Sequence, residues 1–110
     1  MKKIIPAVVL ALAVAGCSST RVAGPTAAQK DASFISQANV IAATEGLVTD
    51  TAADLAFVRG MCAREGVEVA RISVEEAHSS LTDPRSAVAF QVTLAGLNIY
   101  CPGKSIFWTG

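Results

Sequence analysis

The apolar run Ile4–Ala15 constrains the fold of this chain more than any other stretch. Lys2 and Lys3 precede the run, and Cys17 closes it after one small residue. A helix needs roughly 20 apolar residues to cross the hydrocarbon core of a bilayer, so this run is too short to be a membrane span. A positive start, a short apolar run and small residues after it predict a secretory signal peptide over residues 1–16.

The end of the run resembles the lipid attachment signal of bacterial lipoproteins. Val14-Ala15-Gly16-Cys17 fits the pattern of an aliphatic residue, two small residues and a cysteine. The resemblance implies that the Cys17 thiol receives a diacylglyceryl group and that a peptidase cuts before it. Two or more acyl chains make a stable anchor, whereas a single chain binds a membrane only marginally. The alternative is a cysteine beside an ordinary secretory cleavage site.

The remaining chain is long enough for one domain. We expect the lipidated cysteine and a flexible tether over residues 17–30, because this stretch is small and polar around Gly24-Pro25. A helical domain is expected over residues 31–110, facing away from the cytoplasm at the cell envelope. The formal net charge of the chain is zero and it carries no basic patch, which argues against a nucleic-acid partner.

Two further cysteines, Cys62 and Cys101, lie within the expected domain. Thiols outside the cytoplasm tend to form disulfides, so a single bridge is the first interpretation. A loop of this length implies a stabilisation of roughly 3–4 kcal/mol in the chain-entropy model. A metal-binding pair or a reactive dithiol is the alternative, although the chain has no CxxC motif and only one histidine.

Apolar residues at intervals of three and four predict an all-α fold, a small bundle of about four helices closed by one disulfide. The first helix is expected from Lys30 to about Glu45-Gly46, and the second begins at Asp50 or Thr51 and ends before Gly66. Asp83-Pro84 is a typical start for the last helix. That helix is the most apolar and should be central; its predicted stripe is Ala87, Phe90, Leu94, Leu97 and Cys101, widened by Val88, Val92 and Ile99.

The stretch before the third helix alternates apolar and polar residues. Val67, Val69, Ile72 and Val74 would suit a short strand, but such a strand would have no partner in this chain, so we expect an extended connection. Ser73-Val-Glu-Glu76 fits a capping box and predicts that the third helix starts at this point.

The C-terminal tail is unusual in placing Ile106, Phe107 and the only tryptophan, Trp108, at the end of the chain. We expect these side chains to fold back and cover the small core. The alternative is an exposed aromatic patch for a partner or for the lipid interface, where tryptophan is favoured.

Three features together resemble the DUF732 family, the small secreted or lipid-anchored helical domains of mycobacteria, related actinobacteria and their phages. They are Phe34 opening the first helix, Gly60-Met-Cys62 after an apolar helix, and Tyr100-Cys101-Pro102 closing the last one. The resemblance spans about residues 34–102 and implies a structural disulfide between Cys62 and Cys101. The family has no agreed activity, so the resemblance implies a fold and a habitat but no chemistry.

Candidate chemical groups are few, and none forms a known constellation. His78, Tyr100 or Met61 could serve as a haem ligand, but nothing in the sequence places one of them in an apolar pocket. The other candidates are the adjacent carboxylates Glu75-Glu76, the hydroxyls Ser79-Ser80, and Asp50 with Asp54, which are too few for a calcium loop. We therefore expect no enzyme activity, cofactor or metal site.

The sequence supports a lipid-anchored envelope protein that acts by binding. One specific hypothesis is a phage- or prophage-encoded lipoprotein that excludes incoming phage. A carrier of a small apolar ligand, haem or lipid, is the alternative, and a purely structural envelope lipoprotein is a third. In each case the membrane is the expected partner through the acyl chains, and the envelope protein or ligand is unidentified.

Overall fold

A computed structural model of the chain describes residues 24–108, and the predicted signal peptide and Cys17 lie outside them. Throughout the described residues the fold is all-helical with no strand, which confirms the predicted class. The helices are α1 (Ala27–Thr44), α2 (Thr51–Cys62), α3 (Gly66–Ser80), α4 (Pro84–Tyr100) and the one-turn α5 (Pro102–Ser105).

A capping box starts α1 earlier than the sequence pattern suggested. The Thr26 hydroxyl accepts a hydrogen bond from the backbone N–H of Gln29, and the Gln29 side chain accepts one from the backbone N–H of Thr26. Both of these N–H groups would lack a partner within the helix. Residues 27–30, predicted as the end of the tether, are therefore the first turn of α1. Gly46 follows the end of the helix with a φ of +70°, as predicted for a glycine at this position.

The starts of α2 and α4 lie where the sequence predicted them. Asp50 accepts hydrogen bonds from the backbone N–H groups of Ala52 and Ala53. Asp83 caps α4 in the same way, and Pro84 occupies the first helical position, where its missing N–H costs nothing. A short polar side chain at such a position typically contributes about 1 kcal/mol.

The predicted extended connection before the third helix is wrong. Helix α3 already begins at Gly66 and runs through the stretch where a connection was expected. The predicted capping box is wrong as well, because Ser73 lies in the middle of α3 and is 1% exposed. The residue at the cap position is Glu65, whose side chain makes no capping hydrogen bond.

Exposed ion pairs along α3 support the helix, each only weakly because water screens them. Arg71 pairs with Glu68, three residues before it, at 3.0 Å and with Glu75, four residues after it, at 2.8 Å. Such pairs form only at helical spacing. The core contact also requires the helix, since Val69 is fully buried while Val67, which would share its face in a strand, is exposed. The alternating apolar pattern from Val67 to Val74 therefore belongs to a helix that buries one side, and not to an extended segment.

Helix α4 is the centre of the bundle, as predicted, and packs against α1, α2 and α3. Leu97 of the predicted stripe and the predicted flanking residues Val88 and Val92 are buried, whereas the stripe members Phe90 and Leu94 are half-buried. Gly96 permits a close approach of α4 to α2: a Cβ added there would lie 2.5 Å from Val58 of α2. The buried apolar residues of the core are Phe34, Ala38, Ala42, Val58, Met61, Val69, Val88, Val92, Leu97 and Trp108.

The chain runs up and down through the bundle, so the start of α1, the end of α2, the start of α3 and the end of α4 meet at one end. Cys62 and Cys101 are joined there by a disulfide, and we call this the disulfide end. The other end contains the α1–α2 and α3–α4 connections, and we call it the opposite end.

Candidate functional site

The disulfide closes the bundle between α2 and the residue after α4. The Cα atoms of Cys62 and Cys101 are 5.8 Å apart, and the two residues are 39 positions apart in the sequence. The bridge is the first of the predicted interpretations of these cysteines, and it removes both thiols from metal binding or redox chemistry in this form. Its role in the fold is to hold the ends of two helices whose positions in the sequence are distant.

Lys104 reinforces the same junction. Its ammonium group, on the short helix α5, donates hydrogen bonds to the backbone carbonyls of Cys62, at 3.0 Å, and of Arg64. Carbonyls at the C-terminus of a helix lack partners within the helix and carry partial negative charge, so a cation suits them. Sequence analysis missed this role, because the contact joins residues about 40 positions apart and leaves no local pattern.

The tail folds back onto the bundle, which confirms the first of the two predictions for it. Trp108 is 2% exposed, and its indole N–H donates to the backbone carbonyl of Phe90 at 3.0 Å. Its ring packs beside the rings of Phe90 and Phe57 with centroid distances of 5.3 and 6.3 Å. Phe107 packs against Gly66, where any side chain larger than hydrogen would clash with its ring. Ile106 is the exception among the tail's apolar residues, because it stays 70% exposed.

A polar cluster links three helices at the disulfide end. The Tyr100 hydroxyl donates a hydrogen bond to the carboxylate of Asp31, and Arg59 lies 3.6 Å from the same carboxylate. Burial and the hydrogen bond to this carboxylate raise the pKa of Tyr100 to about 12, since both disfavour the phenolate. The ring of Tyr100 also packs edge-on against Phe34. The cluster therefore orients α1 against α4.

The candidate catalytic and ligand-binding residues lie apart. Met61 is buried in the core, Tyr100 is held at the disulfide end, and His78 is exposed near the opposite end. Four of the remaining candidates have structural partners: Glu75 pairs with Arg71, Ser80 donates to the carbonyl of Ala77, Asp50 caps α2, and Asp54 accepts from Thr49. Over residues 24–108, no group of three or more His, Cys, Asp or Glu side chains is placed to hold a metal ion.

A distinctive exposed feature is a row of apolar side chains along α3 and the residue that follows it, Leu81. Val67, Val74 and Leu81 follow one another at seven-residue intervals and are 75%, 60% and 78% exposed. Seven residues make nearly two helical turns, so the three side chains lie on one side of the helix. We call this row the α3 stripe. Its spacing is visible in the sequence, but the exposure is not, because a stripe of this kind usually faces the core.

Charge is distributed unevenly along the bundle. Among the described residues, basic side chains at the disulfide end slightly outnumber acidic ones, for a net charge of +1, whereas the rest of the domain carries −4. The disulfide end has four basic residues, Lys30, Arg59, Arg64 and Lys104, and three acidic residues, Asp31, Glu65 and Glu68. The rest of the described domain has two basic residues, Arg71 and Arg85, and six acidic residues, Glu45, Asp50, Asp54, Glu75, Glu76 and Asp83. The domain is therefore electrically polar along its length.

Comparison with known proteins identifies the N-terminal segment. Residues 1–18 match the family model of the prokaryotic membrane lipoprotein lipid attachment site, and this match includes Cys17. No curated protein and no solved structure matches the chain. None of the helices between residues 24 and 108 has the length and hydrophobicity needed to cross a membrane. The chain is a lipid-anchored membrane lipoprotein with an all-α domain.

Proposed function

We propose that this lipoprotein is a non-catalytic binding protein of the cell envelope, anchored through Cys17, and that the part of the α3 stripe away from the disulfide end, Val74 and Leu81, contacts its protein partner. The observation that carries the proposal is the exposure of Val67, Val74 and Leu81 on one side of a helix. Single exposed apolar residues are ordinary, but several on one helix side form the kind of surface that binds a groove or a second helix. Arg71, flanked by Glu68 and Glu75, gives this surface a charged border.

The way the polar groups are used supports binding over catalysis. The polar cluster of Tyr100 with Asp31 joins helices, the acidic residues at helix starts cap backbone N–H groups, and the cysteines form the disulfide. Each of these groups already has a structural role. The side chains of the α3 stripe are exposed and apolar, and apolar surface recognises a partner by contact.

Site-specific crosslinking from the α3 stripe tests this proposal. A photoreactive amino acid at position 74 should crosslink the lipoprotein to one envelope protein in the cells that produce it. Val40 of α1 is a matched control, because it is 61% exposed and lies on a different helix. Crosslinks of equal yield and identity from both positions, or none from position 74, would refute the role of the stripe.

A more specific version of the proposal is exclusion of incoming phage, with the resemblance to DUF732 domains indicating an actinobacterial cell or its phage as the source. Expression of the lipoprotein in such a host should lower phage DNA entry or adsorption. The Val74→Asp/Leu81→Asp double variant should lose this effect while reaching the envelope in equal amount. If phage adsorption and DNA entry are unchanged by the unaltered protein, exclusion is wrong and only the general binding role is left.

A carrier of a small apolar ligand is the second candidate, and one surface feature favours lipid over haem. An open groove of about 720 Å³ lies at the disulfide end beside Pro25, Ile99 and Pro102. The three candidate haem ligands are dispersed, whereas this groove combines three apolar side chains with the polar side chains of Gln29, Lys30, Ser33 and Asn98. Mass analysis of the purified protein should then detect a co-purifying lipid, and a Soret band would instead support haem. A protein free of both would support the binding role or a purely structural one.

A further inference from the structure

We propose that the disulfide end of the domain docks on the bilayer that holds the lipid anchor, with Ile106 and Val67 as its apolar contacts. The proposal rests on the lipid anchor at Cys17 and adds an orientation to it. The occupant of this surface is a phospholipid bilayer containing anionic headgroups.

The first observation is the length of chain between the anchor and the fold. Cys17 and Ala27, where α1 begins, are ten residues apart in the sequence, and a fully extended chain of that length spans at most ~36 Å. Helix α1 has 18 residues and is about 27 Å long. Because α1 begins at the disulfide end, turning the opposite end toward the bilayer would require a nearly fully extended connection. The disulfide end is therefore the end that reaches the bilayer most easily.

The second observation is the pair of apolar side chains exposed at this end. Ile106 and Val67 are 70% and 75% exposed, and they flank the contact between Phe107 and Gly66. Because Phe107 packs against Gly66, the backbones next to these two residues are held close together. The interfacial region of a bilayer accepts apolar side chains to a depth of about 5–10 Å.

The third observation is the charge polarity. The disulfide end has a net charge of +1 and includes the exposed Arg59 and Arg64, whereas the rest of the described domain carries −4. An anionic surface attracts basic groups and repels acidic ones within a Debye length. Arg59 and Arg64 pair with Asp31 and Glu68, so the main electrostatic effect is that the −4 charge of the rest of the domain disfavours turning that part toward an anionic surface, in agreement with the length of the anchor segment. The same repulsion keeps the acidic opposite end, with Leu81, away from the bilayer.

Tryptophan reporters in the full lipoprotein test the orientation. Ile106→Trp and Val67→Trp place the reporter at the proposed contacts, and Leu81→Trp is the matched control because Leu81 is 78% exposed near the opposite end. Each variant is incorporated into vesicles of phosphatidylcholine and phosphatidylglycerol, with or without bromine on the acyl chains. Buried Trp108 contributes the same background to all three variants.

We expect brominated lipid to quench the added fluorescence at positions 106 and 67 at least about twofold more than at position 81, since only an inserted ring approaches the acyl chains. Equal quenching at the three positions, or none at any, would overturn the docking. Co-flotation with vesicles, compared with a Cys17→Ser variant, tests the anchor separately. A lipoprotein that floats without selective quenching refutes the docking alone, and one that does not float refutes both.

Discussion

Replacing either of two helical glycines with alanine should change the free energy of unfolding, but in opposite directions. Gly60 lies in α2 and Gly96 in α4. Alanine is usually the better residue in a helix by about 1 kcal/mol, because glycine loses more backbone entropy on folding. At Gly60 an added Cβ would meet nothing within 4 Å. We therefore expect Gly60→Ala to raise the free energy of unfolding by up to about 1 kcal/mol.

At Gly96 the same Cβ would lie 2.5 Å from Cγ2 of Val58 and 2.9 Å from Cε1 of Phe34. Both neighbours are fully buried, and a valine in a helix has one strongly preferred rotamer, so neither side chain can turn away. Forcing an extra group into a packed core typically costs about 1–3 kcal/mol. That cost exceeds the gain in helix propensity, so we expect Gly96→Ala to lower the free energy of unfolding by about 1–2 kcal/mol.

Urea unfolding followed by far-UV circular dichroism, on the lipoprotein in mild detergent with its disulfide intact, measures both changes. The midpoints should move in opposite directions at an unchanged m-value. Val58→Ala removes the clashing methyl groups, so the Gly96→Ala/Val58→Ala double variant should lose less than the sum of the single losses, by about 1 kcal/mol. A Gly96→Ala variant as stable as the unaltered protein, with no coupling to Val58, would refute the close approach of α2 and α4.

Three further predictions concern the disulfide end and the tail. Trp108→Ala should lower the free energy of unfolding by about 3–5 kcal/mol, whereas Ile106→Ala should lower it by less than about 0.5 kcal/mol. Similar losses for the two variants in urea unfolding would contradict the burial of Trp108 and the exposure of Ile106. Replacing Cys62 and Cys101 together with serine should cost about 4 kcal/mol, and a midpoint unchanged in urea would show that the bridge does not restrict the unfolded chain. Tyr100, the only tyrosine, should ionise near pH 12 in the folded protein, whereas the usual pKa of a tyrosine is about 10. The contribution of Tyr100 to the free energy of unfolding is therefore complete below about pH 10 and is lost as the pH rises through 12. A rapid pH jump followed by phenolate absorbance checks this, and ionisation near pH 10 would contradict the buried contact with Asp31.

The helix starts show which parts of the fold the sequence determines locally. Asp50 and Asp83 were found in advance because a cap acts on backbone N–H groups two or three residues away. The predicted capping box at Ser73 was wrong because the motif considers only nearby residues. Ser73 is instead buried in the middle of a helix that packs against α4. Val67 and Val74 similarly satisfied a strand pattern, and only packing of Val69 in the core shows which side of a helix they occupy.

The candidate site was predictable only where its chemistry lies within one stretch. The attachment signal ending at Cys17 is contiguous, so its residues are recognisable without a fold. In the sequence, Trp108 and Ile106 each fit both predicted roles of the tail, covering the core or forming an exposed patch. Only the structure shows that Trp108 is buried and Ile106 is exposed. The partners of Lys104 are backbone carbonyls, which carry no residue signature at all.

The contacts that join distant parts of the sequence are concentrated at the disulfide end. Tyr100 contacts Asp31 across 69 positions, Lys104 contacts Arg64 across 40, and the disulfide spans 39. Each of these contacts closes a long loop, which costs conformational entropy. The disulfide end therefore forms only when α1, α2 and α4 come together cooperatively. The opposite end relies on the local caps Asp50 and Asp83. Local opening should therefore begin at the opposite end, leaving the disulfide end, where α1 begins, as the rigid base of the domain.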